Sequence, residues 1–127
     1  MAEPPSSLAD MSERNTAPPS QDAITVGIDI SHLPLFRIYG EDDQGQVAVQ
    51  TQFSREELVS FFARMSPCVI GIAVDEAYAS IARHWKKKLE SLHHTVNLMA
   101  MDFVRTHGQV QDYVDAEAIC KAVRRTV

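Results

Sequence analysis

The chain has 127 residues, 45% hydrophobic and 23% charged, with a formal net charge of −5. That length suits one domain with a real core rather than two, no apolar run reaches the roughly 20 residues of a membrane helix, and no basic start with an apolar stretch marks a signal peptide, so a cytoplasmic, membrane-free protein is expected. The acidic balance argues against strong unaided binding to DNA, which depends on Lys and Arg facing phosphates.

Residues 1–22 are rich in Pro, Ser, Ala and Glu without apolar periodicity, and are predicted to be a disordered leader ahead of one domain over 23–127. Ile24 to Ile30 is β-branched and apolar at alternate positions, the pattern of a central strand. A second strand is predicted from Leu33 to Tyr39, a turn over Glu41 to Gly45, and a third strand from Gln46 to Gln52. The period then changes. Ser54 and Glu57 form a capping box, Leu58, Phe61, Phe62 and Met65 share one helical face, and Pro67 stops the helix. Cys68 to Val74 is predicted as a strand, Ala77 to Leu92 as a helix, Thr95 to Met99 as a short strand, and Met101 to Gly108 as a short helix or loop. A last helix is predicted from about Asp112 to Arg125. The order β-β-β-α-β-α-β-α, a meander followed by crossovers, predicts an α/β fold: an RNase H-like mixed five-stranded sheet with three or four helices.

Chemistry concentrates in the last helix and the first strand. Asp112, Asp115, Ala116, Ile119, Ala122 and Val123 follow one helical stripe, so both aspartates extend the face that enters the core. Two carboxylates on adjacent turns repel, and a divalent cation is their natural partner. The alternative is that they are helix-start aspartates favoured by capping and the macrodipole. Asp29, a charge near the end of a central apolar strand, joins them, and Gly27 on the same face would let a helix approach. Such a trio would hold Mg²⁺ or Mn²⁺ to activate a nucleophile and stabilise a leaving oxygen.

The pieces Val26-Gly27-Ile28-Asp29-Ile30-Ser31, Leu58 to Ala63, Pro67 to Ile72, His84-Trp85 with Leu92 to Met99, and Asp112 to Ile119 resemble the N-terminal domain of the DEDD insertion-sequence transposases. These are the bridge-RNA-guided recombinases related to Piv-type DNA invertases. The resemblance implies a RuvC-like fold whose four acids bind metal, with Asp29, Asp112 and Asp115 matching the first, third and fourth. At the second acid this chain has Ala73; Glu76 is the candidate replacement, catalytic and metal-binding with the other three, and Asp75 is the runner-up for that place. His32 stands where the family usually has Lys. Full-length relatives carry a serine in a second domain that these 127 residues lack, so complete transposition by this chain alone is not expected. DNA, a guide RNA, and a second copy or a full-length transposase are the partners so implied.

Lys86, Lys87, Lys88, Arg124 and Arg125 are the basic clusters, candidates for nucleic-acid contact or solvated faces. The histidines His84, His93, His94 and His107 lack metal-ligand spacing and are expected to be solvent-exposed or at helix ends. Trp85 is expected half-buried on its helix's inner edge. Cys68 and Cys120, without a Cys-x-x-Cys, are expected to be reduced, mostly buried thiols. Two functions follow: a metal-dependent transposase or nuclease domain, or a non-catalytic, dimerising interaction module derived from one. An actin-like nucleotide-binding domain is a third class, but Ser31-His32-Leu33-Pro34 offers no phosphate-loop glycine.

Overall fold

The computed structural model describes residues 23–107 and 114–125. Five strands, β1 (Thr25–Asp29), β2 (Phe36–Glu41), β3 (Val47–Phe53), β4 (Val69–Val74) and β5 (Thr95–Ala100), form one sheet in the order β3-β2-β1-β4-β5. The β1–β2 and β2–β3 pairs are antiparallel; β1–β4 and β4–β5 are parallel. Helices α1 (Arg55–Arg64), α2 (Ala79–Glu90), α3 (Met101–His107) and α4 (Ala116–Arg124) complete the order, with a 3-10 turn over Glu76–Tyr78. This is the RNase H-like mixed sheet that the meander-then-crossover pattern predicts.

Period-two alternation divides the core between the sheet's two faces. Val26, Ile28, Ile70 and Ile72 point one way and pack with Leu58 and Phe62 of α1 and Trp85 and Leu89 of α2. Trp85 is more buried than the sequence suggests, meeting Phe36 edge-on at 5.0 Å between ring centres. Gly27, Gly71 and Ala73 point the other way, toward α4, and Ala73 packs with Met99 of β5, Val104 of α3 and Ile119 and Val123 of α4. A methyl group at Gly71 would strike the Val123 side chain, so α4 can lie against β4 only because that position is bare.

The capping box closes as expected: the Ser54 hydroxyl accepts from the Glu57 N–H at 3.2 Å, and Glu57 accepts from the Ser54 N–H at 2.8 Å. The second strand starts later than predicted. Leu33 and Leu35 lie in a turn closed by the Leu35 N–H donating to the His32 carbonyl, and both side chains are 38% exposed. His94 also departs from expectation, because it is buried. Its Nδ1 accepts from the Cys68 N–H at 3.1 Å, and its Nε2 donates to the Phe62 carbonyl at 2.8 Å. The ring is a cross-brace between α1 and the start of β4. Both thiols are free and buried. Burial pushes Cys68 and Cys120 up to about 12. No helix among the described residues is long and apolar enough to cross a membrane.

Candidate metal centre

Asp29 closes β1 at its C-terminal end, paired across the antiparallel ladder with Arg37 of β2. It is two residues beyond Gly27 and so shares the face covered by α4. A Cβ at Gly27 would come within 2.5 Å of the Cys120 amide nitrogen and would overlap the Ala116 carbonyl. That bare position sets the first turn of α4 against β1.

Asp29 is 4% exposed. Its Oδ1 accepts from the Ser31 backbone N–H at 2.9 Å and from the Ser31 hydroxyl at 2.7 Å. Its Oδ2 is buried and has no hydrogen-bond donor, although the His32 Nδ1 is 3.4 Å away. A buried carboxylate oxygen left open costs roughly 1–3 kcal/mol or more, so this oxygen is suited to a cation.

Asp115 sits at the mouth of α4. The helix begins at Ala116, four residues later than the sequence stripe suggests, because Asp115 has extended backbone angles (φ −118°, ψ −179°) and its side chain caps the helix, accepting from the Ala118 N–H at 2.9 Å. The capping alternative therefore describes Asp115, while the second carboxylate oxygen takes no part in that cap. Asp112 lies outside the described residues.

The second acid is not supplied at the expected level. The parallel ladder pairs Ile28 with Ile72, so Ala73 follows at the height of Asp29, and it is a buried methyl under α4. Asp75 and Glu76 are both exposed; Asp75 caps the 3-10 turn, accepting from the Tyr78 N–H at 3.2 Å, and Glu76 lies in that turn's first residue. Among the described residues, no three His, Cys, Asp or Glu side chains converge to hold a metal ion. Asp29 Oδ2 accepts no hydrogen bond, and Asp115 uses its Oδ1 in the α4 cap.

The basic residues divide. Lys86 pairs with Glu90 and donates to the Val96 carbonyl. Arg124 is drawn inward: its Nε is 3.4 Å from Glu41 Oε1 and its Nη1 donates to the Asp42 carbonyl at 3.1 Å. Lys87, Lys88 and Arg125 are exposed. Glu41 is buried, with Lys121 at 3.3 Å and the Tyr39 hydroxyl donating at 3.1 Å. Burial, then the Glu41 hydrogen bond and charge, push the Tyr39 phenol well above its ordinary value. The sequence reading placed Glu41 in a surface turn, since nothing local announces partners 80 residues away. It also passed over Arg37, which the strand register places opposite Asp29. An open groove of about 480 Å³, lined by Arg37, Tyr39, Gln50, Gln52, Asp115 and Glu117, runs from β2 and β3 to the mouth of α4.

Over 102 residues the chain is 35% identical to a probable family 20 transposase of Pseudomonas aeruginosa and 32% identical to the transposase for insertion sequence element IS1328 of Yersinia enterocolitica. Each match covers 79% of this chain and 29% of the relative. The chain is thus homologous to insertion-sequence transposases over most of its length, and spans less than a third of theirs. No protein-family model matches it, and no solved structure does.

Proposed function

Starting from homology to part of insertion-sequence transposases, we propose that this chain is a DNA-directed, RNase H-like transposition domain whose Asp29, Asp112 and Asp115 hold a divalent cation, Mg²⁺ or Mn²⁺. The observation that carries the reading is the Asp29 Oδ2: a buried carboxylate oxygen without a donor, at the end of the central strand, facing the helix whose mouth Asp115 caps. Such a cation would polarise a phosphodiester oxygen and lower the pKa of a bound water.

The chain's own residues do the rest. Ser31 fixes the Asp29 carboxylate through its N–H and hydroxyl, leaving Oδ2 as the oxygen turned to the site. The close packing at Gly27 holds Asp115 to the same end of β1. Of the basic clusters, Lys87, Lys88 and Arg125, exposed on α2 and at the end of α4, are free to contact phosphate. A guide RNA as well as DNA would be read through its backbone in the same way.

A second reading is a non-catalytic interaction module that assembles with its own copy or with a full-length transposase. The burial of Ala73 at the second-acid level favours it. Incubation of the purified chain with supercoiled and branched DNA in Mg²⁺ or Mn²⁺ separates the two. Metal-dependent nicking lost in Asp29→Asn supports the first reading. A dimer in sedimentation with no cleavage in either metal supports the second.

A further inference from the structure

The two edges of the sheet are finished differently. At β5, α2 and α3 pack against the strand, and the Lys86 ammonium donates to the Val96 carbonyl at 3.2 Å. A lysine on an edge hinders the approach of another strand. β3 has no such guard. Val47–Phe53 holds no charge and no proline, and among the described residues only β2 pairs with it.

The direction of the β3 backbone follows from the ladders. The Val69 N–H donates to the Ile24 carbonyl, so the even-numbered residues of β1 turn their backbone to β4 and the odd-numbered ones to β2. Gly27 and Asp29 therefore bond to Tyr39 and Arg37, which leaves Phe36 and Ile38 to bond to Phe53 and Thr51. Gln50 and Gln52 present their backbone N–H and C=O groups at the open edge, and both side chains are exposed. The register shift in the hairpin lies at Gly40 and Glu41, so residues 49–53 are a regular stretch.

We propose that the β3 edge is a docking surface for a second copy of this chain, the two strands pairing antiparallel about a two-fold axis at Thr51. The strand is self-complementary in that register. Gln50 meets Gln52 of the other copy on either side of the axis, and each such pair exchanges two backbone hydrogen bonds. On the opposite face Thr51 meets Thr51 and Val49 meets Phe53; Thr–Thr and aromatic–β-branched pairs are favourable across strands. Polar side chains thus meet polar ones, apolar meet apolar, and no like charges oppose. A two-fold contact of this kind closes on itself, so it consumes the edge without seeding a fibre. The inference supplies a surface for the self-assembly in the second reading above and rests on that part of it alone.

The test uses the full chain in sedimentation equilibrium, with backbone amide hydrogen exchange read residue by residue as concentration rises. The wild type is expected to form a dimer in which the Gln50 and Gln52 amides gain protection. Gln50→Lys with Gln52→Lys sets like charges opposite each other in both pairs and should weaken the dimer by about tenfold or more. Gln50→Lys with Gln52→Glu sets opposite charges there and should restore it. Both variants change exposed side chains, and the wild-type exchange pattern decides the matter even where a variant fails to fold. The inference is overturned by a dimer that the two-lysine variant leaves intact, that the lysine–glutamate variant fails to restore, or whose Gln50 and Gln52 amides stay unprotected. In those cases self-assembly through another surface still stands. A wild type that is monomeric at every concentration overturns both.

Discussion

Gly27 and Ala116 are packed backbone to backbone: the Ala116 carbonyl of α4 occupies the space where a side chain on Gly27 would begin. The contact joins the strand that carries Asp29 to the helix that Asp115 caps. Neither backbone can retreat easily, because α4 is also held at Gly71 by Val123. Gly27→Ala should therefore destabilise the fold by about 1–3 kcal/mol through overpacking. It should also reduce divalent-metal binding, by moving the mouth of α4 away from Asp29. Thermal unfolding with and without Mn²⁺ checks both effects, and an unchanged Tm would contradict them.

Glu41 ties the far end of α4 to β2. Its buried carboxylate receives the Tyr39 hydroxyl and faces Lys121 and Arg124. The two cations are about one-third exposed, so water recovers part of their solvation when the acid is lost. Glu41→Ala should cost about 2 kcal/mol in urea unfolding, with Glu41→Gln costing less because it keeps an acceptor for Tyr39. A loss no larger than that of an exposed-surface substitution would show that the network contributes nothing.

The two buried thiols predict a decline in stability at high pH. Burial raises Cys68 and Cys120 from 9.0 to about 12. Between those values the unfolded chain has released protons that the folded chain keeps, so rising pH favours unfolding. The slope should be about 1.4 kcal/mol per pH unit for each thiol. Their contribution is fully present below about pH 9 and is lost as pH climbs toward 12. Tyr39, raised from 10.0, adds to the fall above that value. Denaturation curves measured below and above pH 9 should converge less steeply for a Cys68→Ala, Cys120→Ala double variant than for the wild type.

Nucleic-acid contact, if it runs along α2, should involve the exposed Lys87 and Lys88 rather than Lys86. Lys87→Ala with Lys88→Ala is expected to flatten the dependence of log K on log salt by about 2, near 0.9 per lost phosphate contact. Lys86→Ala should change it little, since Lys86 is already paired with Glu90. Fluorescence anisotropy on a labelled duplex at several salt concentrations gives the slopes. Equal slopes for all three proteins would place the contact elsewhere.

Much of the frame was readable because it is written in local pattern. The alternation through Val26 and Ile28 marked a central strand, and Ser54 with Glu57 marked the start of α1. What was not readable depends on distance or on competing local chemistry. An Asp-x-x-Asp on an apolar stripe reads as helix, yet Asp115 is itself extended and uses its carboxylate to cap α4, which begins one residue later. His94 sits in a polar-looking His-His-Thr run, and its burial follows from backbone partners at Phe62 and Cys68 that no local window contains. Of the proposed acids, Asp29 is buried as its place on the strand implied. Asp75 and Glu76 fall outside the core because Ala73 is the residue that faces α4.

The most direct test of the account is calorimetric titration of Mg²⁺ and Mn²⁺ into the wild type and Asp29→Asn. The account predicts a saturable binding event in the wild type that disappears in Asp29→Asn. It also predicts that the metal-free variant is at least as stable as the wild type, since the substitution removes a buried charge whose Oδ2 has no donor. No saturable binding to the wild type, or equal binding by the variant, would contradict the central claim that Asp29 is a metal ligand.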